Sequence, residues 1–121
     1  MKTIKYLLAD GIATLTFDEP DSPVNTMCLQ WQADMTEAAT QVVRDKAAIK
    51  GIILASNKST FFAGADLTAT MRIQPSDAAH AYAEIEQVKK NFRTIETLGV
   101  PVVACLNGTA LGGGWELALC P

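Results

Sequence analysis

Two short segments carry residues whose types and spacing suit chemistry at a carbonyl group. One is Phe62-Ala63-Gly64-Ala65-Asp66-Leu67; the other is Gly108-Thr109-Ala110-Leu111-Gly112-Gly113-Gly114. Each follows a short apolar run, 51–55 or 102–106, and each opens a helical stretch. In α/β sheets, ligands collect just beyond the carboxyl ends of the strands. Small side chains let backbone N–H groups approach a ligand closely. A helix start adds unpaired N–H donors and a positive partial charge. Two such donors from separate loops form an oxyanion hole, where loss of one donor costs about 2.7–4 kcal/mol of transition-state stabilisation. The plainer reading is that the glycines only permit tight strand-to-helix turns. The glycine-rich loop ends in neither Gly-Lys-Ser nor Gly-Lys-Thr and lacks G-x-G-x-x-G spacing, which argues against a P-loop or a dinucleotide site.

Glu116 stands three residues after Gly113, in the first turn of the next helix. It either matches the helix dipole at the surface or, half-buried between Trp115 and Leu117, serves as an acid or base. Asp66 reads as the cap of the short helix after it. His80 is the only histidine, with no cysteine or second histidine beside it, so no metal role is expected. No Ser-His-Asp arrangement can be argued from this spacing.

The elements that must position these residues follow from pattern. Runs 2–9 and 12–17, joined by Asp10-Gly11, read as a β-hairpin. Asp18 to Pro23 is a loop. Asn25 or Thr26 is a candidate cap for a helix running to about Ala48, whose apolar positions include Trp31, Met35, Ala38 and Val42. Gly51 to Ala55 reads as a strand buried on both faces. A second long helix begins at Pro75-Ser76-Asp77 with Ser76 as its expected cap, and Gly99 and Pro101 end it. Val102 to Leu106 reads as another buried strand. Helices alternating with buried strands predict an α/β fold with parallel strands.

Composition sets the outer bounds. The chain has 121 residues, a net charge of −3, and 49% hydrophobic and 19% charged residues. One small domain is expected, and the ten scattered Lys and Arg residues argue against nucleic-acid binding. No apolar run approaches the roughly 20 residues of a membrane span, and the first residues do not resemble a signal peptide, so a cytoplasmic location is expected. Cys28, Cys105 and Cys120 form no C-x-x-C pair and read as small buried hydrophobes.

Taken together, the two loops resemble a known family. Residues 62–67 resemble the A-G-A-D-[LI] motif of the crotonase, or enoyl-CoA hydratase/isomerase, family. Residues 107–118 resemble its G-x-A-x-G-G-G-x-E-L motif. The opening hairpin, Asp18-Glu19-Pro20 and Asn25 also fit, so the resemblance covers essentially the whole chain. The segment Gly112 to Leu117 is most similar to the hydratase portion of multifunctional bacterial fatty-acid oxidation subunits, whose hydroxyacyl-CoA dehydrogenase portion has no counterpart here.

The resemblance implies a crotonase spiral fold, with residues 1–121 as the N-terminal half of the domain and the C-terminal half absent. It implies an oxyanion hole made by the N–H groups of Ala65 and Gly113, and Glu116 as the first of two catalytic glutamates. It places Ala63, Gly64, Asp66, Leu67 and Gly112 along the substrate and its coenzyme A moiety. The expected partner is an acyl-CoA thioester, with no separate cofactor and no metal, and the family typically forms trimers. The end at Leu119-Cys120-Pro121 reads as a truncation or a changed reading frame, since the family's second glutamate comes later. Two functions follow. One is an enoyl-CoA hydratase or isomerase of β-oxidation that adds water to a 2-enoyl-CoA. The other is a non-catalytic acyl-CoA-binding or assembly module.

Overall fold

The computed structural model describes all residues, 1–121. Strands β1 (Ile4–Ala9) and β2 (Ile12–Phe17) form the antiparallel hairpin expected from the sequence. Asp10 and Gly11 both take positive φ, 51° and 82°, which matches the twist of the flanking strands. Parallel strands need a crossover, and helices supply it twice. Helix α1 (Leu29–Arg44) carries the chain to β3 (Gly51–Ser56), parallel to β2. Helices α2 (Leu67–Thr70) and α3 (Ala78–Glu96) carry it to β4 (Val102–Ala104), parallel to β3. Helix α4 (Gly113–Ala118) follows. The four-stranded sheet runs β1-β2-β3-β4. No helix is long and apolar enough to cross a membrane.

The core lies on one face of this sheet. Ala13, Leu15 and Phe17 of β2 alternate inward, with Ile52 and Leu54 of β3 in register beside Ala13 and Leu15. Trp31, Met35, Ala38 and Val42 of α1 cover them, and Phe92 and Ile95 of α3 complete the layer. The buried Asp34 on α1 ties down the N-terminus, its Oδ2 accepting the Lys2 and Thr3 N–H groups, both at 2.7 Å, and the Thr3 hydroxyl at 2.8 Å.

Five expectations are corrected. Helix α1 begins at Leu29, with Cys28 as an N-cap that makes no side-chain bond. Asn25 and Thr26 do not cap it because their side chains are engaged in the preceding loop, Thr26 with Glu19 at 2.9 Å. At its other end the α-helix stops at Arg44, and a 3₁₀ turn covers Lys46–Ala48. Ser76 caps nothing; the 3₁₀ entry to α3 is fixed by the Gln74 N–H donating to Asp77 Oδ2 at 2.9 Å. Strands β3 and β4 are not buried on both faces: on the side of the sheet away from the helices Ile53 is half-buried and Val103 is 54% exposed. Cys105, just beyond β4, is exposed, while Cys28 and Cys120 are half-buried at the edge of the core.

Candidate functional site

The two glycine-bearing loops meet. Phe61 and Phe62 are wholly buried, and their rings stack edge-on against Phe17 with centroids at 6.0 and 5.6 Å. Phe62 also meets Trp31 at 5.2 Å. This aromatic anchor roots the first loop in the core. The loop then pairs with the second through an isolated parallel bridge between Phe62 and Ala110. Thr109 O accepts the Phe61 and Phe62 N–H groups at 3.0 and 3.1 Å, and the Leu111 N–H donates to Phe62 O at 3.0 Å.

Two glycines are dictated by this approach. Gly64 has φ +93°, and a Cβ there would lie 2.8 Å from Leu111 O. A Cβ on Gly114 would lie 2.6 Å from Phe62 Cβ. Backbone contact this close admits no side chain.

The peptides at the crossing have a definite polarity. Gly64 O accepts the Met27 N–H at 2.8 Å. Gly112 O accepts the Trp115 and Glu116 N–H groups at 2.9 and 3.1 Å. No peptide is cis, and in a planar trans peptide the N–H points opposite to the C=O. The Ala65 and Gly113 N–H groups therefore point away from these partners, and neither donates to any protein acceptor. Both residues line a cavity of roughly 690 Å³ bounded by the start of α1, by α2, by α3 and by the start of α4.

The other residues singled out in the sequence divide. Asp66 lines the cavity and caps α2, its Oδ1 accepting the Ala69 N–H at 3.2 Å. Glu116 also lines the cavity, but its side chain is exposed and makes no hydrogen bond or ion pair. Of the two readings of Glu116, its exposure fits the surface one: α4 turns Gly114 and Leu117 to the core, leaving Trp115 and Glu116 off that face. Ala63, Gly64, Leu67 and Gly112 do not line the cavity. Ala63 is tied by its N–H to Asn25 O at 2.8 Å, Gly64 is buried, Leu67 is 72% exposed, and Gly112 is the exposed N-cap of α4.

Much of the cavity wall was not anticipated. Ile85, Val88 and Phe92 of α3 give it an apolar side, and Met27 and Cys28 close it below α1. The periodicity of α3 carried that signal, since one stripe of its apolar positions faces the cavity. His80 sits at the rim, its Nε2 3.0 Å from Glu84 Oε1. No three His, Cys, Asp or Glu side chains converge on a metal-sized site. Burial, then the charges of Glu96 and Glu116, pushes the Cys120 thiol up to about 11, so it is no thiolate nucleophile at neutral pH.

Beyond the strand ends, a polar cluster locks the loops. Asn57, Lys5 and Lys58 donate to Asp18 and hold its carboxyl well below the usual carboxylate range. Lys58 also donates to Glu19 O at 2.7 Å, and Asn107 donates to Lys58 O at 2.6 Å.

Comparisons with known proteins place the chain in a family. The family model described as enoyl-CoA hydratase/isomerase matches residues 8–121. The fatty acid oxidation complex subunit alpha of Shewanella frigidimarina is 40% identical over 111 residues, covering 91% of this chain and 15% of that protein. Its counterpart in Shewanella oneidensis is 39% identical over the same length. The chain thus spans only about 15% of the length of these relatives. Among solved structures, an enoyl-CoA hydratase/carnithine racemase from Magnetospirillum magneticum superposes with a TM-score of 0.84 at 30% identity, covering 99% of this chain and 44% of that one. An enoyl-CoA hydratase from Geobacillus kaustophilus superposes at 0.87 with 24% identity, again over 99% of this chain and 44% of its own, a likeness of fold.

Proposed function

Because the chain belongs to the enoyl-CoA hydratase/isomerase family, we propose that it supplies the oxyanion-binding part of a domain that adds water to a 2-enoyl-CoA thioester. The single observation that carries this reading is the pair of unpartnered N–H groups, Ala65 and Gly113, on the wall of one cavity. A thioester oxygen seated between them gains negative charge as the enolate forms. Donors fixed before the reaction stabilise that charge without reorganising. Glu116 lies on the same wall and takes a proton from water as the water oxygen bonds to C3 of the enoyl group. The C2=C3 electron pair shifts toward the thioester, and C2 then takes a proton to give the 3-hydroxyacyl-CoA. The resemblance assigns a share of this proton transfer to a second glutamate, on a helix of the family's domain that follows α4. The chemistry draws on no metal or separate cofactor. The apolar stripe of Ile85, Val88 and Phe92 suits an acyl chain.

One observation favours the second reading, a thioester-binding module without turnover. Glu116 is exposed and has no partner in the fold to orient it. Hydration of crotonyl-CoA by the 121-residue chain, followed at the enoyl absorbance, separates the two. Under the first reading, Glu116→Gln lowers the rate by about 10²–10⁴-fold and leaves thioester binding intact. Binding with no hydration supports the module. An unchanged rate in Glu116→Gln removes that residue from the mechanism.

A further inference from the structure

Met27 stands at the point where both donor peptides are held. Its backbone N–H donates to Gly64 O at 2.8 Å, the carbonyl of the same peptide that bears the Ala65 N–H. Rotation of that peptide would break the bond, so Met27 fixes the direction in which Ala65 donates. Its side chain reaches the other loop. A Cβ built on Gly113 would lie 2.5 Å from Met27 Sδ and 2.6 Å from its Cε, so the thioether lies directly against the Gly113 backbone. Met27 is half-buried, lines the cavity, and precedes the N-cap of α1, whose buried face is locked into the core.

We infer that Met27 is a positioning residue that sets the mutual geometry of the two N–H donors, its main chain aiming Ala65 and its thioether setting the standoff of Gly113. The inference rests on the oxyanion-hole reading above. It predicts a division of labour within one residue. Loss of the side chain leaves the Ala65 donor aimed, because every substitution except proline keeps the N–H. The Gly113 turn, no longer backed by the thioether, relaxes toward the vacated space. Misplacement of a catalytic group by about 1 Å is enough to cost roughly 10²-fold in rate.

The test uses the full chain and a chromophoric probe, an aryl-substituted acryloyl-CoA whose absorption moves to longer wavelength when hydrogen bonds polarise its thioester carbonyl. Wild type, Met27→Leu and Met27→Ala are each saturated with the probe, and affinity is recorded separately from the spectral shift. The expected result is a red shift in wild type, retained in Met27→Leu, which preserves most of the volume. In Met27→Ala the shift falls by half or more, with affinity within a few-fold of wild type and unchanged circular dichroism. A structural role alone would lower affinity or folding without moving the shift at saturation. If Met27→Ala does not fold, Met27→Val carries the same comparison. A full shift in the folded small-residue variant overturns the positioning role while leaving the oxyanion hole standing. Binding without any shift in wild type, or no binding, overturns both.

Discussion

At the scale of single residues, Asp34 makes the sharpest demand on the fold. Its side chain is buried, and burial alone pushes a carboxyl group up. The Thr3 N–H and hydroxyl, the Lys2 N–H and the Gln30 amide together outweigh burial, and the net result is a carboxyl below its ordinary value. A folded-state value below the unfolded one means that the charged form is held more tightly in the native state. That stability is fully present above the unfolded value of about 3.9 and is lost as pH falls through the lower folded value. Asp34→Asn should cost about 1–3 kcal/mol at pH 7, because an amide cannot accept from all of these donors. Urea unfolding of both proteins from pH 7 to 2.5 should show the difference shrinking below pH 4. A difference independent of pH would mean that the carboxylate charge is not what holds the N-terminus. Asp66 and Glu116 mark how far such residues are legible in sequence. The cap at Asp66 was readable because capping is a bond within three residues. The choice between a surface and a half-buried Glu116 was not, because it depends on which face of a six-residue helix meets the core.

At the scale of elements, the loop between β2 and α1 does more than connect them. Asn25 is 1% exposed and cross-links three segments. Its Oδ1 accepts the Glu19 N–H at 3.0 Å, and its Nδ2 donates to Ser56 Oγ at 2.9 Å and to Phe61 O at 3.2 Å. Its own carbonyl holds Ala63. One side chain thus binds the ends of β2 and β3 to the root of the loop that carries Gly64 and Ala65. Asn25→Ala would leave buried polar groups unpaired and should cost about 2–4 kcal/mol, read as a shift in the urea midpoint with an unchanged slope. A loss under about 0.5 kcal/mol, the ordinary range for a surface change, would show that water replaces these bonds. The hairpin, the three longer strands and α3 were legible, because alternation and helical spacing are local patterns. The start of α1 was not. Asn25 and Thr26 have the chemistry of caps, yet Glu19 in the preceding loop and Ser56 and Phe61, distant in sequence, claim their side chains first.

At the scale of the whole molecule, the sheet is dressed on one side only. Register places Leu7, Thr14, Ile53 and Val103 in one row across the four strands, on the face away from α1 and α3. Leu7 is 62% exposed and Val103 54% exposed, and Leu106 beyond β4 is 48% exposed. The layered α/β order was legible from the alternation of helical and strand patterns. The bare face was not, because Val102 to Leu106 has the continuous apolar composition of a strand covered on both sides. That disagreement has a consequence for behaviour in solution. Exposed Leu7 and Val103 with half-buried Ile53 on one sheet face, and β4 presenting an unpaired edge, favour association with another apolar surface. Sedimentation velocity should therefore show concentration-dependent self-association of the 121-residue chain. Val103→Lys places a charge at the end of the row without touching the core and should move the equilibrium toward monomer, with circular dichroism unchanged. If the variant associates as strongly as the parent chain, the surface responsible is not this sheet face, and the exposed apolar side chains of Leu67, Met71 and Ile73 around α2 become the region to charge next.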